Sequence, residues 1–223
     1  MKRLSFVLTF AVSLFFAACN TSSQPVKILM ETTAGDIHIE LSDATPLHRD
    51  NFVKLVKDNY FDGLLFHRVI ENFMIQGGDP DSRHAEPGTF LGEGGPGYTV
   101  AAEFRYPQLF HRRGALAAAR EGDTVNPEKA SAGSQFYIVW GRVYDDEQLD
   151  KMQARIGNRV LFTSDVREIY KTEGGTPHLD GAYTVFGHVT QGLEVVETIQ
   201  KVATDENDRP IEDVRILSAR IIK

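Results

Sequence analysis

The sequence predicts a mainly-β protein built as a closed antiparallel barrel with helical caps. Three observations lead there. Runs of two-residue alternation recur from residue 26 to 223, and few segments show the period of an amphipathic helix. The 42% hydrophobic content is ordinary, so about 200 residues can bury one sizeable core. Closing many strands on themselves removes the unpaired edges that an open sheet would expose.

The first 18 residues stand apart. Lys2 and Arg3 precede an uncharged apolar run from Leu4 to Ala18 that ends Phe16-Ala17-Ala18-Cys19. The run is shorter than the ~20 residues a spanning helix needs, and its basic start and small-residue exit are those of an export signal. The small residues before Cys19 resemble a bacterial lipobox, which implies cleavage before Cys19 and a lipid on it. Cys19 is the chain's single cysteine, so a disulfide framework is excluded. Several acyl chains hold a protein stably on a membrane where one does not. Residues 19–25 then read as the lipidated cysteine and a short tether. Asn20, where an aspartate would resemble an inner-membrane retention signal, favours the outer membrane, facing the periplasm or the surface. Beyond residue 18 the chain carries 22 basic and 31 acidic residues. That balance excludes the basic footprint of a nucleic-acid binder.

The domain, residues 26–223, opens with two alternating runs, Lys27 to Thr32 and Asp36 to Leu41, separated by Ala34-Gly35 and read as a hairpin. Thr45-Pro46 supplies an N-cap and a proline at the first helical position, with Phe52, Leu55 and Val56 on one side before Asn59 and Gly63. Strand-like stretches follow at Leu64 to Ile70, Phe73 to Gly77, Gly114 to Ala119, Ser134 to Val139, Tyr183 to Val189 and Val214 to Ile222. A second amphipathic helix carries Leu193, Val196, Ile199 and Val202. Residues 143–177 interrupt the pattern with charge. Asp145-Asp146 before Leu149, Met152 and Ile156, and Ser164-Asp165 before Val166, Ile169 and Tyr170, predict two short helices. This insertion reads as a solvated surface element without chemistry.

One grouping carries chemistry. Phe66-His67-Arg68-Val69-Ile70-Glu71-Asn72-Phe73-Met74-Ile75-Gln76-Gly77-Gly78-Asp79 sets an arginine on one strand beside apolar side chains and a glutamine on the next. It resembles the signature of the cyclophilin family of peptidyl-prolyl isomerases. The resemblance continues through Leu116 to Arg120, Gly133 to Ile138 and Leu179 to Gly187, and spans Val26 to Lys223 apart from the insertion. It implies a closed eight-stranded antiparallel barrel with two capping helices and its active site outside the barrel. It further implies Arg68 as the catalytic arginine, with Gln76 supporting that arginine and the substrate backbone. Phe73, Met74, Phe136 and Leu179 would line a proline pocket. Ala119 would flank the groove, the backbone of Arg120 would bond the peptide, and Tyr137, His178 and Tyr183 would complete the rim.

That resemblance makes the expected function rotation of X-Pro bonds in envelope proteins by a monomer that binds proline-containing polypeptides and is held to the membrane through Cys19. The alternative is a proline-peptide binding module or holdase with little turnover. His178 stands where many eukaryotic relatives have a tryptophan, and Arg120 where they have an asparagine; Arg120 would then tolerate side-chain changes. Alternation puts His67 on the face opposite Arg68, a structural position. Adjacent Phe73 and Met74 could share a pocket only through a local twist or bulge.

Other motifs are blander. Gly92-Glu93-Gly94-Gly95-Pro96-Gly97 lacks the lysine and hydroxyl of a phosphate-binding loop, and Ser134 lacks the flanking glycines of a hydrolase elbow. No H-E-x-x-H occurs, and one cysteine cannot build a zinc site, so neither a metal nor a cofactor is expected.

Overall fold

The computed structural model describes residues 24–223; the stretch expected to be an export signal, and Cys19, lie outside the described residues. The predicted hairpin is present as β1 (Lys27–Thr32) and β2 (Gly35–Leu41), followed by helix α1 (Pro46–Lys57). Next come β3 (Arg68–Ile70), β4 (Met74–Gly77) and the two-residue β5 (Thr99–Val100). They are followed by β6 (Ala115–Ala118), the equally short β7 (Ser131–Ala132) and β8 (Phe136–Val139). Helices α2 (Asp146–Ile156) and α3 (Ser164–Thr172) form the insertion, and β9 (Val185–Gln191), α4 (Leu193–Ile199) and β10 (Ile216–Ile222) complete the chain. Eight strands make one antiparallel sheet in the order β10-β1-β2-β9-β6-β8-β4-β3, while β5 and β7 pair separately.

The sheet is an open half-barrel, not the closed barrel expected. Its terminal strands, β3 and β10, do not form a ladder with each other. The reason lies in the segment that was expected to be strand from Leu64. Leu65 makes a single bridge to Arg215, with Phe66 N–H donating to Val214 C=O at 2.9 Å and Ile216 N–H to Leu64 C=O at 2.8 Å. Further on, Val69 N–H donates instead to Asp208 C=O at 2.8 Å. The Asp205–Arg209 loop therefore satisfies the outer edge of β3 where β10 would have run, and the edge is covered although the barrel stays open.

Alternation decides what each strand buries. Val69, Ile75, Leu116, Ala118, Phe136 and Ile138 point inward and join Phe52, Leu55 and Val56 of α1 and Val196 and Ile199 of α4 in one core. The opposite residues, Met74, Ala115, Ala117, Tyr137, Val139 and Val185, form a second apolar cluster on the outer face.

Both predicted helices of the insertion exist, with ends set by local chemistry. Asp145 and Gln148 form a reciprocal capping box at the start of α2, and the Thr163 hydroxyl accepts from Val166 N–H at α3; both satisfy donors a helix leaves free. Thr45 does not cap α1 with its side chain. Its hydroxyl turns to Ser42 C=O, and the carboxylate of Glu103 accepts from Leu47 and His48 N–H instead, at 3.3 and 3.0 Å. Tyr144, Leu149, Val166 and Tyr170 give the insertion its own small core against Tyr106 and Phe110 of the main domain. Among the described residues no helix is long and apolar enough to cross a membrane.

Candidate active site

The outer apolar cluster opens into a groove of about 460 Å³. Antiparallel pairing of β3 with β4 sets Arg68 directly opposite Gln76, and pairing of β4 with β8 sets Gln76 opposite Tyr137. Arg68, Phe73, Met74, Gln76, Ala119, Arg120, Tyr137, Leu179 and Tyr183 all line this groove. Phe73 reaches it because it belongs to the turn before β4 rather than to the strand. Its N–H donates to Ile70 C=O at 3.1 Å, and Asn72 takes a left-handed φ of 58°. Freed from strand alternation, Phe73 and Met74 can face the same space.

Two residues expected at the pocket lie elsewhere. Phe136 is 1% exposed and packs in the barrel interior, edge-on to Phe52, Phe61 and Phe66 with centroids 5.5–6.2 Å away. Alternation along β8 gives the groove position to its neighbour, Tyr137. His178 backs the wall instead of lining it, stacked on Phe73 at 5.6 Å; burial holds its imidazole neutral, its pKa lowered to about 4.

Arg68 is half-exposed and extends into the groove, with Nε donating to Asp208 Oδ2 at 3.3 Å. The amide of Gln76 donates to Gln135 Oε1 at 3.0 Å, so the hydrogen bonds of Arg68 and Gln76 run to other partners, not to each other. Gln135 in turn donates to the carbonyls of Gly92 and Gly94, both at 2.8 Å. The glycine-rich loop is thereby fixed as a wall of the groove, with Phe90, 65% exposed, at its rim. Gly94 belongs there because a Cβ would stand 2.1 Å from Asp79 Oδ1.

The side chain of Arg120 is less dispensable than expected. It lies 4.5 Å over the Tyr183 ring, donates to Ala182 C=O at 2.7 Å and pairs with Asp123 at 2.6 Å. It thus ties two rim segments together. His67, buried beside Arg68, is kept neutral by desolvation with a pKa lowered to about 4.

Several contributors escaped sequence reasoning. Gln135 lies in the Gly133 to Ile138 stretch, and a glutamine just before the apolar run Phe136-Tyr137-Ile138 is a readable signal. Asp208 lies 140 residues from Arg68 in the chain, and only the tertiary fold brings them together. Ser131, His48 and Glu103 form a hydroxyl–imidazole–carboxylate chain at 2.9 and 2.8 Å, but Ser131 is 1% exposed, so no substrate reaches it as a nucleophile. Among the described residues no cluster of three or more histidine, cysteine or carboxylate side chains could hold a metal ion.

Comparison with known proteins assigns the chain to a family. Residues 27–221 match the model of cyclophilin type peptidyl-prolyl cis-trans isomerases. A Staphylococcus epidermidis protein named provisionally for that activity is 36% identical over 196 residues, covering 86% of this chain and 90% of its own. A peptidyl-prolyl cis-trans isomerase of Arabidopsis thaliana is 35% identical over 209 residues, although this chain spans only 25% of its length. A crystal structure of a Cryptosporidium parvum cyclophilin type isomerase superposes with a TM-score of 0.66 at 26% identity, covering 90% of this chain and 99% of that one. A second structure of that protein was determined in the presence of the dipeptide Ala-Pro. The chain belongs to the cyclophilin type peptidyl-prolyl cis-trans isomerase family.

Proposed function

We propose that the groove rotates X-Pro bonds of unfolded or loop segments in the cell envelope, with a monomeric domain held to the membrane, the outer one by preference, through lipid on Cys19. A single observation supports the chemistry. A half-exposed guanidinium, Arg68, lines the same groove as the apolar side chains of Phe73, Met74, Tyr137 and Leu179. The pocket suits a pyrrolidine ring, and the guanidinium suits a developing lone pair beside it.

Amide rotation costs ~18–20 kcal/mol because the nitrogen lone pair is shared with the carbonyl, and an X-Pro bond takes ~10–100 s unaided. As the bond twists, the lone pair localises on the prolyl nitrogen and can accept a hydrogen bond from Arg68. The planar ground state offers no such acceptor, so the interaction acts only on the transition state. A charge-assisted hydrogen bond contributes ~1.5–3 kcal/mol, which is roughly ten- to a hundredfold in rate. The rest comes from apolar grip on the ring and exclusion of water. Gln76, fixed by Gln135, and the backbone at Arg120 would hold the flanking peptide. The reaction transfers no group, so the site requires no nucleophile.

The test is proline-limited refolding of a reporter with the wild-type chain beside Arg68→Ala. Acceleration that Arg68→Ala lowers ten- to a hundredfold is expected. A folded wild type that binds proline peptides without accelerating refolding would replace this reading with that of a binding module. Membrane fractionation beside Cys19→Ala tests the anchor, which predicts that the variant moves to the soluble fraction. An unchanged distribution would remove the lipid from the proposal.

A further inference from the structure

The insertion of residues 143–177 reaches the pocket through a buried line of polar groups. On α3, Tyr170 is fully buried, and its hydroxyl donates to Asp180 Oδ2 at 2.6 Å. The other carboxylate oxygen, Oδ1, accepts from His111 N–H at 2.9 Å and lies 2.8 Å from His111 Nδ1. His111 Nε2 lies 3.0 Å from the hydroxyl of Tyr137, whose ring lines the groove. His111 and Asp180 are each 1% exposed, so water cannot substitute for a missing partner.

The polarity of the line follows from its carboxylate end. Asp180 can only accept, so in the neutral ring the proton of His111 sits on Nδ1 and Nε2 is left as an acceptor. Tyr137 then donates to Nε2, and burial keeps its phenol protonated by raising its pKa well above the ordinary value. The hydroxyl of a pocket residue is thereby drawn away from the groove, and the ring is held nearly parallel to His111, at 14° and 6.1 Å between centroids. Tyr183 packs against this pair and meets both rings edge-on. The insertion grips the same wall a second time, where Arg159 donates to His178 C=O.

We propose that the insertion is a positioning element of the proline pocket, with Tyr170 setting the orientation of the Tyr137 ring through Asp180 and His111. This rests on the isomerase reading of the groove. Removing the Tyr170 hydroxyl leaves Asp180 one donor short, loosens His111 and lets the Tyr137 ring turn, so the walls no longer fit the twisted prolyl ring. The insertion would then act on catalysis from behind the pocket, without touching substrate.

A double-mutant cycle on the full chain separates this from a merely structural role. Tyr170→Phe is expected to lower kcat/KM for a proline tetrapeptide five- to tenfold in the wild-type background. In the Tyr137→Phe background, where no hydroxyl is left to orient, the same change is expected to cost less than twofold. Tyr106→Phe is the control: Tyr106 packs against the same cluster as Tyr170, but its hydroxyl donates to Leu161 C=O at 2.9 Å in the insertion and makes no hydrogen bond in the line through Asp180, so it should lower Tm and leave kcat/KM unchanged. Equal losses from Tyr170→Phe in both backgrounds, no loss in either, or a loss matched by Tyr106→Phe would each overturn the proposal. Inactivity of the wild type would overturn the isomerase reading and this one with it, whereas an active wild type indifferent to Tyr170→Phe overturns this one alone.

Discussion

Strands β3, β4, β6 and β8 each have two faces, and the two differ in kind. Inward, Val69, Ile75, Leu116, Phe136 and Ile138 meet only hydrocarbon. Outward, Arg68, Met74, Gln76 and Tyr137 border the groove, and Gln135 supports it from beside Phe136. Neighbours in sequence thus have separate duties, Phe136 as core and Tyr137 as pocket wall. A one-residue slip in register would exchange them. The inner face supplies the rigidity, and the outer face uses it to hold Arg68, Gln76 and Tyr137 at fixed positions, each with a hydrogen-bond partner.

The sharpest way to break this division is at β8. Phe136→Ala empties a site enclosed by Phe52, Phe61 and Phe66 and should cost ~3–5 kcal/mol. In a domain of this size that lowers Tm by roughly 6–20 °C. Calorimetry checks the shift, and turnover measured well below the transition should remain within a few-fold of wild type. A large loss of kcat with an unchanged Tm would return Phe136 to the pocket.

Acid offers a second test, on three histidines whose imidazoles are buried or partly buried. Burial lowers the pKa of His67, His178 and His188 to about 4, against about 6.5 in an unfolded chain. Between those values the unfolded state binds protons that the native state refuses. Stability therefore stands in full above about pH 6.5 and declines as pH falls towards 4, below which this contribution is exhausted. For His67, 3% exposed, the loss is on the order of 3 kcal/mol; the other two are more exposed and contribute less. Denaturant midpoints at pH 7, 5.5 and 4.5 should fall in that order, and His67→Phe should flatten the slope. A variant with the wild-type slope would place the linkage elsewhere.

The sequence was legible wherever a local rule operates. Alternation located the eight strands, and Pro46, Asp145 and the Ser164 region marked three helix starts. The motif around Arg68, with the later stretches of the resemblance, named nine residues that line one groove. What stayed hidden was long-range. Closure of the barrel depended on whether β3 would pair with β10 or with the Asp205–Arg209 loop, a competition between segments far apart in the chain. The assignment of Phe136 and Tyr137 depended on which of two adjacent aromatics faces outward, and both are apolar enough for either face. His111 and Asp180 each look unremarkable alone, and only their approach across 69 residues makes them a unit.

The smallest effect concerns the hydrogen bond between Arg68 and Asp208. Both side chains are 41% exposed and the contact is 3.3 Å, a geometry worth ~0–1 kcal/mol. Asp208→Asn should therefore leave Tm within about 4 °C. Its effect on catalysis is set by the larger of two opposing contributions. The carboxylate partly neutralises the cation that has to reach the prolyl nitrogen, but it also restrains a long, flexible side chain at the groove. Asparagine keeps an acceptor for Nε and removes only the charge. If neutralisation dominates, Asp208→Asn raises kcat two- to threefold; if restraint dominates, it leaves kcat unchanged while Asp208→Ala lowers it. The exposure of the pair favours the second outcome, because solvent screening makes the charge term small and leaves orientation as the larger contribution. Paired kcat measurements on the two variants decide between them. A twofold or larger rise in both would mean that Arg68 works best unheld, and that the groove, unlike the barrel interior, gains nothing from fixing its side chains.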